Sequence, residues 1–184
     1  MAKWKLSVRD LCYAATGSAL LAVCAWLSVP FTIPFTLQSF GVCLLAALLG
    51  LRRGTLAVLI YLLLGAAGLP VFSGFSGGFQ KLAGVTGGYL LGYLPCAFLT
   101  GLGAEKAAGR KWFLPALMAA GTLVLYMLGT AWFMAQTGHA LGGALSMCVL
   151  PFLPGDAAKI AAASLLAAPV RKAVARQAAC GQPG

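Results

Sequence analysis

The chain is poor in charged side chains and above all in acidic ones. Of its 184 residues 9% are charged and 61% are hydrophobic, and the acidic residues are Asp10, Glu105 and Asp156. Soluble domains carry about 25% charged residues, so this composition, with a mean hydropathy of +0.93, excludes a soluble globule. Residues 1–184 are therefore predicted to form a single integral membrane domain in contact with lipid.

The sequence also lacks the residue sets on which most enzymes depend. His139 is its one histidine, its six cysteines form no CxxC pair, and it contains no Gly-Lys dipeptide. A P-loop needs that dipeptide, zinc and disulfide frameworks need patterned cysteines, and acid–base catalysis needs positioned titratable groups. We predict no enzyme activity, no catalytic or metal-binding residue and no cofactor.

Thirteen of the sixteen charged side chains lie in four short basic clusters, at residues 3–10, 52–53, 105–111 and 171–176. Lys and Arg gather in the cytoplasmic loops of membrane proteins, so a pI of 9.7 does not indicate nucleic acid binding here. Six transmembrane helices with both termini in the cytoplasm place all four clusters on one side. The predicted fold is an all-α membrane protein with helices at approximately 11–29, 39–51, 55–68, 86–104, 113–135 and 152–170.

Two segments between these helices are predicted to be irregular. Residues 29–38 contain Pro30 and Pro34, which break helices and favour extended backbone. Residues 69–85 are rich in glycine. Both segments lie on the outer side in the six-helix arrangement, and irregular backbone at membrane depth is tolerated where it covers protein or a water-filled cavity. We expect them to cap a cavity.

One acid and one base interrupt the last apolar stretch. Asp156 and Lys159 are three residues apart and so face one side of the first turn of a helix. One interpretation is a helix cap with a local ion pair. Because each charge near the middle of a membrane costs about 2.5–3.5 kcal/mol and usually faces a cavity, we favour a binding site for a small molecule with hydrogen-bond donors and acceptors.

Two further features have alternative interpretations. Gln80 and Lys81 end the glycine-rich loop, where a lysine is either solvated or, with the loop's phenylalanines as aromatic walls, part of a ligand pocket. Ala15 and Ala19 form a small-xxx-small face, which in a membrane helix packs either internally or against another protein.

Five segments spread over nearly the whole chain form a specific combination: residues 29–38 (VPFTIPFTLQ), 51–54 (LRRG), 61–72 (YLLLGAAGLPVF), 86–93 (TGGYLLGY) and 153–156 (LPGD) with Lys159. In content and order they resemble the BioY family, the biotin-specific substrate-binding (S) components of energy-coupling factor (ECF) transporters. The resemblance implies the S-component fold, six helices with outer loops that cap the ligand site, in the cytoplasmic membrane of a bacterium.

The function that this resemblance implies is high-affinity binding and uptake of biotin. The implied partners are a transmembrane coupling subunit, met by Ala15 and Ala19, and two ATPase subunits that supply the energy. Asp156 is expected to accept the ureido N–H groups and Lys159 to donate to the ureido oxygen or the ligand's carboxylate. The complete set of expected ligand-binding residues is Asp156, Lys159, Tyr89, Phe72, Gln80, Lys81 and Gln38. Alternatives are an S component for thiamine or riboflavin, or a proton-coupled carrier.

Overall fold

The computed structural model describes residues 7–29, 34–106 and 112–180. Lys3, Lys5, Arg110 and Lys111 of the predicted basic clusters, and Pro30 of the first irregular segment, lie outside these residues. The described part is mainly helical, as predicted. In chain order its elements are α1 (Val8–Trp26), β1 (Ser28–Val29), β2 (Phe35–Thr36), α2 (Gln38–Ala66), α3 (Phe79–Ala83), α4 (Gly87–Lys106), α5 (Phe113–Thr137), α6 (Leu141–Cys148) and α7 (Leu153–Cys180).

Helix α1 begins and ends about three residues earlier than predicted. Its start is fixed at Ser7, whose backbone N–H donates to Asp10 Oδ2 at 3.2 Å and so gains a partner that the helix itself does not supply. Its end is fixed by a short antiparallel ribbon, in which Ser28 pairs with Thr36. The predicted irregular segment 29–38 is therefore extended on both sides of residues 30–33, which lie outside the described part.

Helix α2 is a hairpin of two helical arms rather than a straight rod. Gly50 breaks it with φ +78° and ψ −176°, a conformation that glycine adopts without steric cost. Gln38 Nε2 then donates to Tyr61 Oη at 2.9 Å, which brings the two distant ends of the element together. The sequence predicted this turn at Arg52-Arg53-Gly54, and that placement is wrong. We call residues 38–66 the α2 hairpin, closed at Gly50 and open at its two ends.

Among the residues that the structure describes, three helices, α1, α2 and α5, are long and apolar enough to cross a membrane. A fourth candidate is the pair formed by α6 and residues Leu153–Ala167 of α7, which meet at 49°. Helix α6 lies in a stretch that the sequence left without a helix. The sequence predicts that the last helix either ends near Pro169 or continues, kinked, into the basic tail, and α7 continues to Cys180. Pro169 removes a single backbone donor and leaves the other hydrogen bonds of the helix in place.

The helices pack around α4, which contacts the α2 hairpin on one side and α5 on the other, while α1 and α7 pack against the hairpin. Helices α4 and α5 approach closely at Gly88, where a Cβ atom would overlap the side chain of Trp132. Small residues allow such contact between helix backbones in lipid. Both predicted cap segments lie at the open end of the hairpin, beside the first turn of α7.

Candidate ligand-binding site

A cavity lies between the first turn of α7, the ribbon, the open end of the α2 hairpin and helices α4 and α5. It holds about 610 Å³ of empty space, including space open to solvent. Its walls are Pro34, Thr36, Gln38, Ser39, Phe72, Ser73, Lys81, Thr86, Tyr89, Leu90, Tyr93, Leu125, Tyr126, Cys148, Phe152, Asp156 and Lys159.

The predicted acid and base form a buried ion pair in the wall of this cavity. Lys159 Nζ lies 2.8 Å from Asp156 Oδ1, and the two side chains are 12% and 9% exposed. The two residues lie one turn apart near the start of α7 and point to the same side of it, as their spacing predicted. Burial makes two such charges costly unless each is paired and its remaining hydrogen-bonding capacity is satisfied.

The ammonium group of Lys159 has a partner for each of its three N–H donors. They are the Thr36 carbonyl oxygen at 2.7 Å, Ser39 Oγ at 3.1 Å and Asp156 Oδ1 at 2.8 Å. The group also lies 3.9 Å from the centroid of the Phe35 ring, where the electron-rich face attracts a cation. Lys159 therefore joins α7 to both the ribbon and the open end of the α2 hairpin.

The carboxylate of Asp156 is held by side chains from three elements. Oδ1 accepts from Lys159 and from Ser39 Oγ at 3.0 Å, and Oδ2 accepts from Tyr126 Oη at 2.6 Å. These bonds run to α7, α2 and α5 rather than to free N–H groups at the start of α7. One interpretation of the sequence was a helix cap with a local ion pair. The ion pair is present, and no capping hydrogen bond from Asp156 is found among the described contacts.

Most of the other predicted ligand-binding residues line the same cavity. Tyr89, Phe72, Gln38 and Lys81 are in its walls, together with Asp156 and Lys159. Gln80 is exposed and is not one of the lining residues.

Two of the loop's phenylalanines point away from the cavity. Phe75 and Phe79 are 65% and 73% exposed, so the expectation that the aromatic residues of this loop form one wall holds for Phe72 alone. Phe75 stacks on Trp26 with ring centroids 4.9 Å apart, and Trp26 Nε1 donates to the Pro70 carbonyl at 2.9 Å. These contacts fasten the glycine-rich loop to the end of α1.

Sequence reasoning missed three residues that hold the ion pair, namely Thr36, Ser39 and Tyr126. Thr36 contributes a backbone carbonyl, which no side-chain pattern reveals. Ser39 and Tyr126 lie in apolar helices, and nothing in their spacing links them to Asp156. A weak signal exists in Ser39, which is polar and directly follows Gln38 at the start of an apolar helix.

Ala15 and Ala19 lie on the exposed face of α1. The buried face of the same helix contains Ala14, Gly17, Ser18 and Leu21, and this face packs on the α2 hairpin. The two alanines therefore do not take part in packing within the described chain, which was one of the two interpretations of their spacing.

Known proteins resemble the chain over most of its length. The sequence model of the BioY family matches residues 1–176. The chain is 45% identical over 166 residues to the biotin transporter BioY of Thermotoga maritima, with 90% of this chain and 97% of that protein covered. It is 39% identical to the probable biotin transporter BioY of Pyrococcus horikoshii, with 88% and 96% covered.

A solved structure resembles the fold as well. The S-component for biotin from an ECF-type ABC transporter superposes with a TM-score of 0.82 at 28% sequence identity. The superposition covers 90% of this chain and 92% of that one.

Proposed function

This chain belongs to the BioY family, and we propose that it captures biotin as the S component of an ECF-type ABC transporter. The family consists of transport proteins rather than enzymes. The observation that carries the proposal to this chain's own residues is the buried Asp156–Lys159 pair in the wall of a cavity that is also lined by aromatic side chains. Because both charged groups are buried, a ligand bound beside them has to supply hydrogen-bonding groups that match them.

The ureido ring of biotin offers two N–H donors and one carbonyl acceptor. We propose that the Asp156 carboxylate accepts a hydrogen bond from a ureido N–H. Donation by Lys159 to the ureido oxygen requires that Lys159 release one of its three present acceptors, of which the neutral Thr36 carbonyl and Ser39 hydroxyl are easier to replace than the carboxylate. Tyr89 and Phe72 provide the apolar surface for the fused rings, and Gln38 lies beside them.

Lys81 is proposed to hold the carboxylate of the ligand's side chain. It lines the cavity, and its side chain makes no hydrogen bond or ion pair with any residue in the described ranges. The ammonium group of Lys81 is available to an anionic group of the ligand. The Asp156–Lys159 pair is already neutralised and so favours a neutral polar group. The two sites together favour a ligand with a neutral polar head and an anionic tail. Gln80, at the exposed side of the loop, has no proposed contact with the ligand in this arrangement.

In the membrane, we propose six crossings with both termini in the cytoplasm. They are α1, the two arms of the α2 hairpin, α4, α5 and α7. At about 1.5 Å per residue the arms of the hairpin are ~18 and ~24 Å long, shorter than the ~30 Å core of a bilayer. The open end of the hairpin, and with it the cavity, would then lie below the outer surface and under the two capping segments.

The proposed partners are a transmembrane coupling subunit and two separate ATPase subunits. Ala15 and Ala19 provide a small-residue surface on α1 that is free to pack against a helix of the coupling subunit. Replacing both alanines by leucine should leave biotin binding by the purified protein unchanged and abolish uptake by cells that contain the partner subunits. Uptake should follow ATP supply and not an imposed proton gradient.

Equilibrium dialysis of the purified protein with micromolar labelled biotin tests the central proposal, with thiamine and riboflavin as comparison ligands. Asp156→Asn and Lys159→Ala should each weaken biotin binding by at least about tenfold, since breaking a buried pair costs ~3–5 kcal/mol. Arg53→Ala, which breaks an exposed pair of the same kind, is the matched control and should retain binding. Failure of the unaltered protein to bind biotin, or a preference for another vitamin, would overturn the proposal.

A further inference from the structure

Gln38 is a buried polar residue of the cavity wall, and its carboxamide is only half satisfied. It begins α2, is 3% exposed and lines the cavity. Its Nε2 atom donates to Tyr61 Oη at 2.9 Å, while Oε1 receives no hydrogen bond from any described residue. Among the described residues, Thr100 Oγ1 is the one fully enclosed side-chain oxygen or nitrogen without a partner, so Gln38 Oε1 is open to the cavity.

Tyr61 determines which end of the Gln38 carboxamide faces the cavity. The Tyr61 hydroxyl lies 2.9 Å from the carbonyl oxygen of Val71, a group that can only accept a hydrogen bond. The single proton of Tyr61 therefore points to Val71, and the Tyr61 oxygen meets Gln38 as an acceptor. Because only the nitrogen of a carboxamide can donate, Nε2 is turned to Tyr61 and Oε1 is left for the cavity.

Tyr61 influences the hydrogen bonding of the cavity from outside its wall. It is 1% exposed and is not one of the residues that line the cavity. Its ring packs edge-on against Phe72, with ring centroids 5.5 Å apart, and its hydrogen-bond acceptor Val71 belongs to the glycine-rich capping loop. The direction of the Tyr61 hydroxyl is therefore fixed by the α2 hairpin and this loop.

We infer that Tyr61 is a positioning residue, which holds the Gln38 carboxamide with its oxygen toward the ligand, and that Gln38 determines specificity by accepting an N–H group there. This inference rests on the proposed function and deepens it. The two N–H groups of the ureido ring point to opposite sides of its carbonyl, so they require separate acceptors. Asp156 on α7 accepts one of them, and Gln38 on α2 accepts the other.

The experiment measures the binding of three ligands by the whole purified protein: biotin and the two cyclic carbamates in which one or the other ureido N–H is replaced by oxygen. The unaltered protein should bind each carbamate about tenfold more weakly than biotin, because a buried acceptor is left without its donor. Gln38→Leu should weaken biotin binding about tenfold. It should leave one of the two carbamates nearly unaffected, since that analogue already lacks the N–H that Gln38 accepts.

Tyr61→Phe separates the positioning role from support of the fold. This variant keeps the ring that packs on Phe72 and removes the hydroxyl, so the Gln38 carboxamide is free to turn its nitrogen toward the cavity. Biotin binding should fall about tenfold, whereas the carbamate that Gln38→Leu leaves unaffected should bind equally well or better, because its ring oxygen then meets a donor. Tyr13→Phe, on the exposed face of α1, is the control and should bind all three ligands as the unaltered protein does.

The outcomes separate the inference from the function on which it rests. If the unaltered protein does not bind biotin, the proposed function itself fails. If it binds biotin but Gln38→Leu or Tyr61→Phe changes the binding of all three ligands by the same factor, the inference is wrong. Should Tyr61→Phe not fold, p-aminophenylalanine at position 61 decides in its place. Its amino group has the size of the hydroxyl and a second proton to donate to Gln38 Oε1, so it should change the selectivity between biotin and that carbamate in the same direction.

Discussion

An ion pair lies beside each end of the α2 hairpin, and the two pairs have similar N–O distances but differ in their surroundings. At the closed end, Arg53 Nε lies 2.6 Å from Asp10 Oδ1, with side chains 43% and 22% exposed. At the open end, Lys159 Nζ lies 2.8 Å from Asp156 Oδ1, with side chains 12% and 9% exposed. Separation alone therefore does not distinguish a pair that fastens helix ends from a pair that lines a ligand site.

Burial and the surrounding hydrogen bonds make the difference. The Arg53 guanidinium also lies over the Tyr13 ring, 5.2 Å from its centroid, and water or lipid headgroups can solvate the rest of it. Exposed pairs of this kind contribute little to stability. At the open end, solvent is replaced by Thr36, Ser39 and Tyr126, so removal of either charge leaves the other without compensation.

The largest effect on stability is expected when Lys159 is replaced and Asp156 is kept. Lys159→Met keeps the length of the side chain but leaves the Asp156 carboxylate buried and unpaired, which should lower the free energy of unfolding by about 3–5 kcal/mol. Thermal unfolding in detergent measures this change, with Arg53→Met as the same substitution in the exposed pair. Equal stability of the two variants would break the comparison between the ends of the hairpin.

A smaller change in stability is expected when both buried charges are removed together. In Asp156→Asn with Lys159→Met no charge remains buried, so the double variant should unfold at a higher temperature than Lys159→Met alone. Its biotin binding should not recover, because the negatively charged acceptor is absent. Recovery of binding together with stability would mean that the pair serves the fold and not the ligand.

Loss of the Ser39 hydroxyl, which bridges Asp156 and Lys159, should have an intermediate effect on stability. Ser39 donates to Asp156 Oδ1 and accepts from Lys159, so Ser39→Ala should cost about 1–3 kcal/mol by leaving these buried groups short of a partner. The matched control is Ser146→Ala, because that exposed hydroxyl bonds only to the Gly143 carbonyl. Thermal unfolding of the two variants should differ, and a similar small shift in both would show that the bridge is not needed.

The smallest effect is expected at the closed end. Arg53→Met should leave the unfolding temperature and biotin affinity of the protein within the scatter of replicate measurements, because the exposed pair is well solvated. Whatever difference low salt reveals should vanish at about 1 M salt, where the screening length is ~3 Å. A salt-independent loss of stability would place this pair in the same class as the buried one.

The sequence predicted those parts of the site that depend on neighbours along the chain. Asp156 and Lys159 share one helical turn, so their spacing was sufficient to place both on one face. The same reasoning predicted Gln80 and Lys81 as ligand contacts. Both stay predictions, and the short helix α3 directs them differently, since Lys81 lines the cavity and Gln80 is exposed. The turn of the α2 hairpin was predicted from the basic residues at 52–53 and the glycine that follows them. The helix breaks instead at Gly50, whose φ is +78°.

The sequence by itself determined that this is a helical membrane protein with one costly charge pair, because apolar length and charge placement are properties of short segments. Only the tertiary structure decided what surrounds that pair. Ser39 contacts Asp156 across 117 residues of chain, and Thr36 contacts Lys159 across 123. Such contacts arise when the open end of the α2 hairpin packs against α7, and no local pattern specifies which uncharged hydroxyl or carbonyl will lie there. That packing supplies the hydrogen-bond partners of both charges in the wall of the cavity.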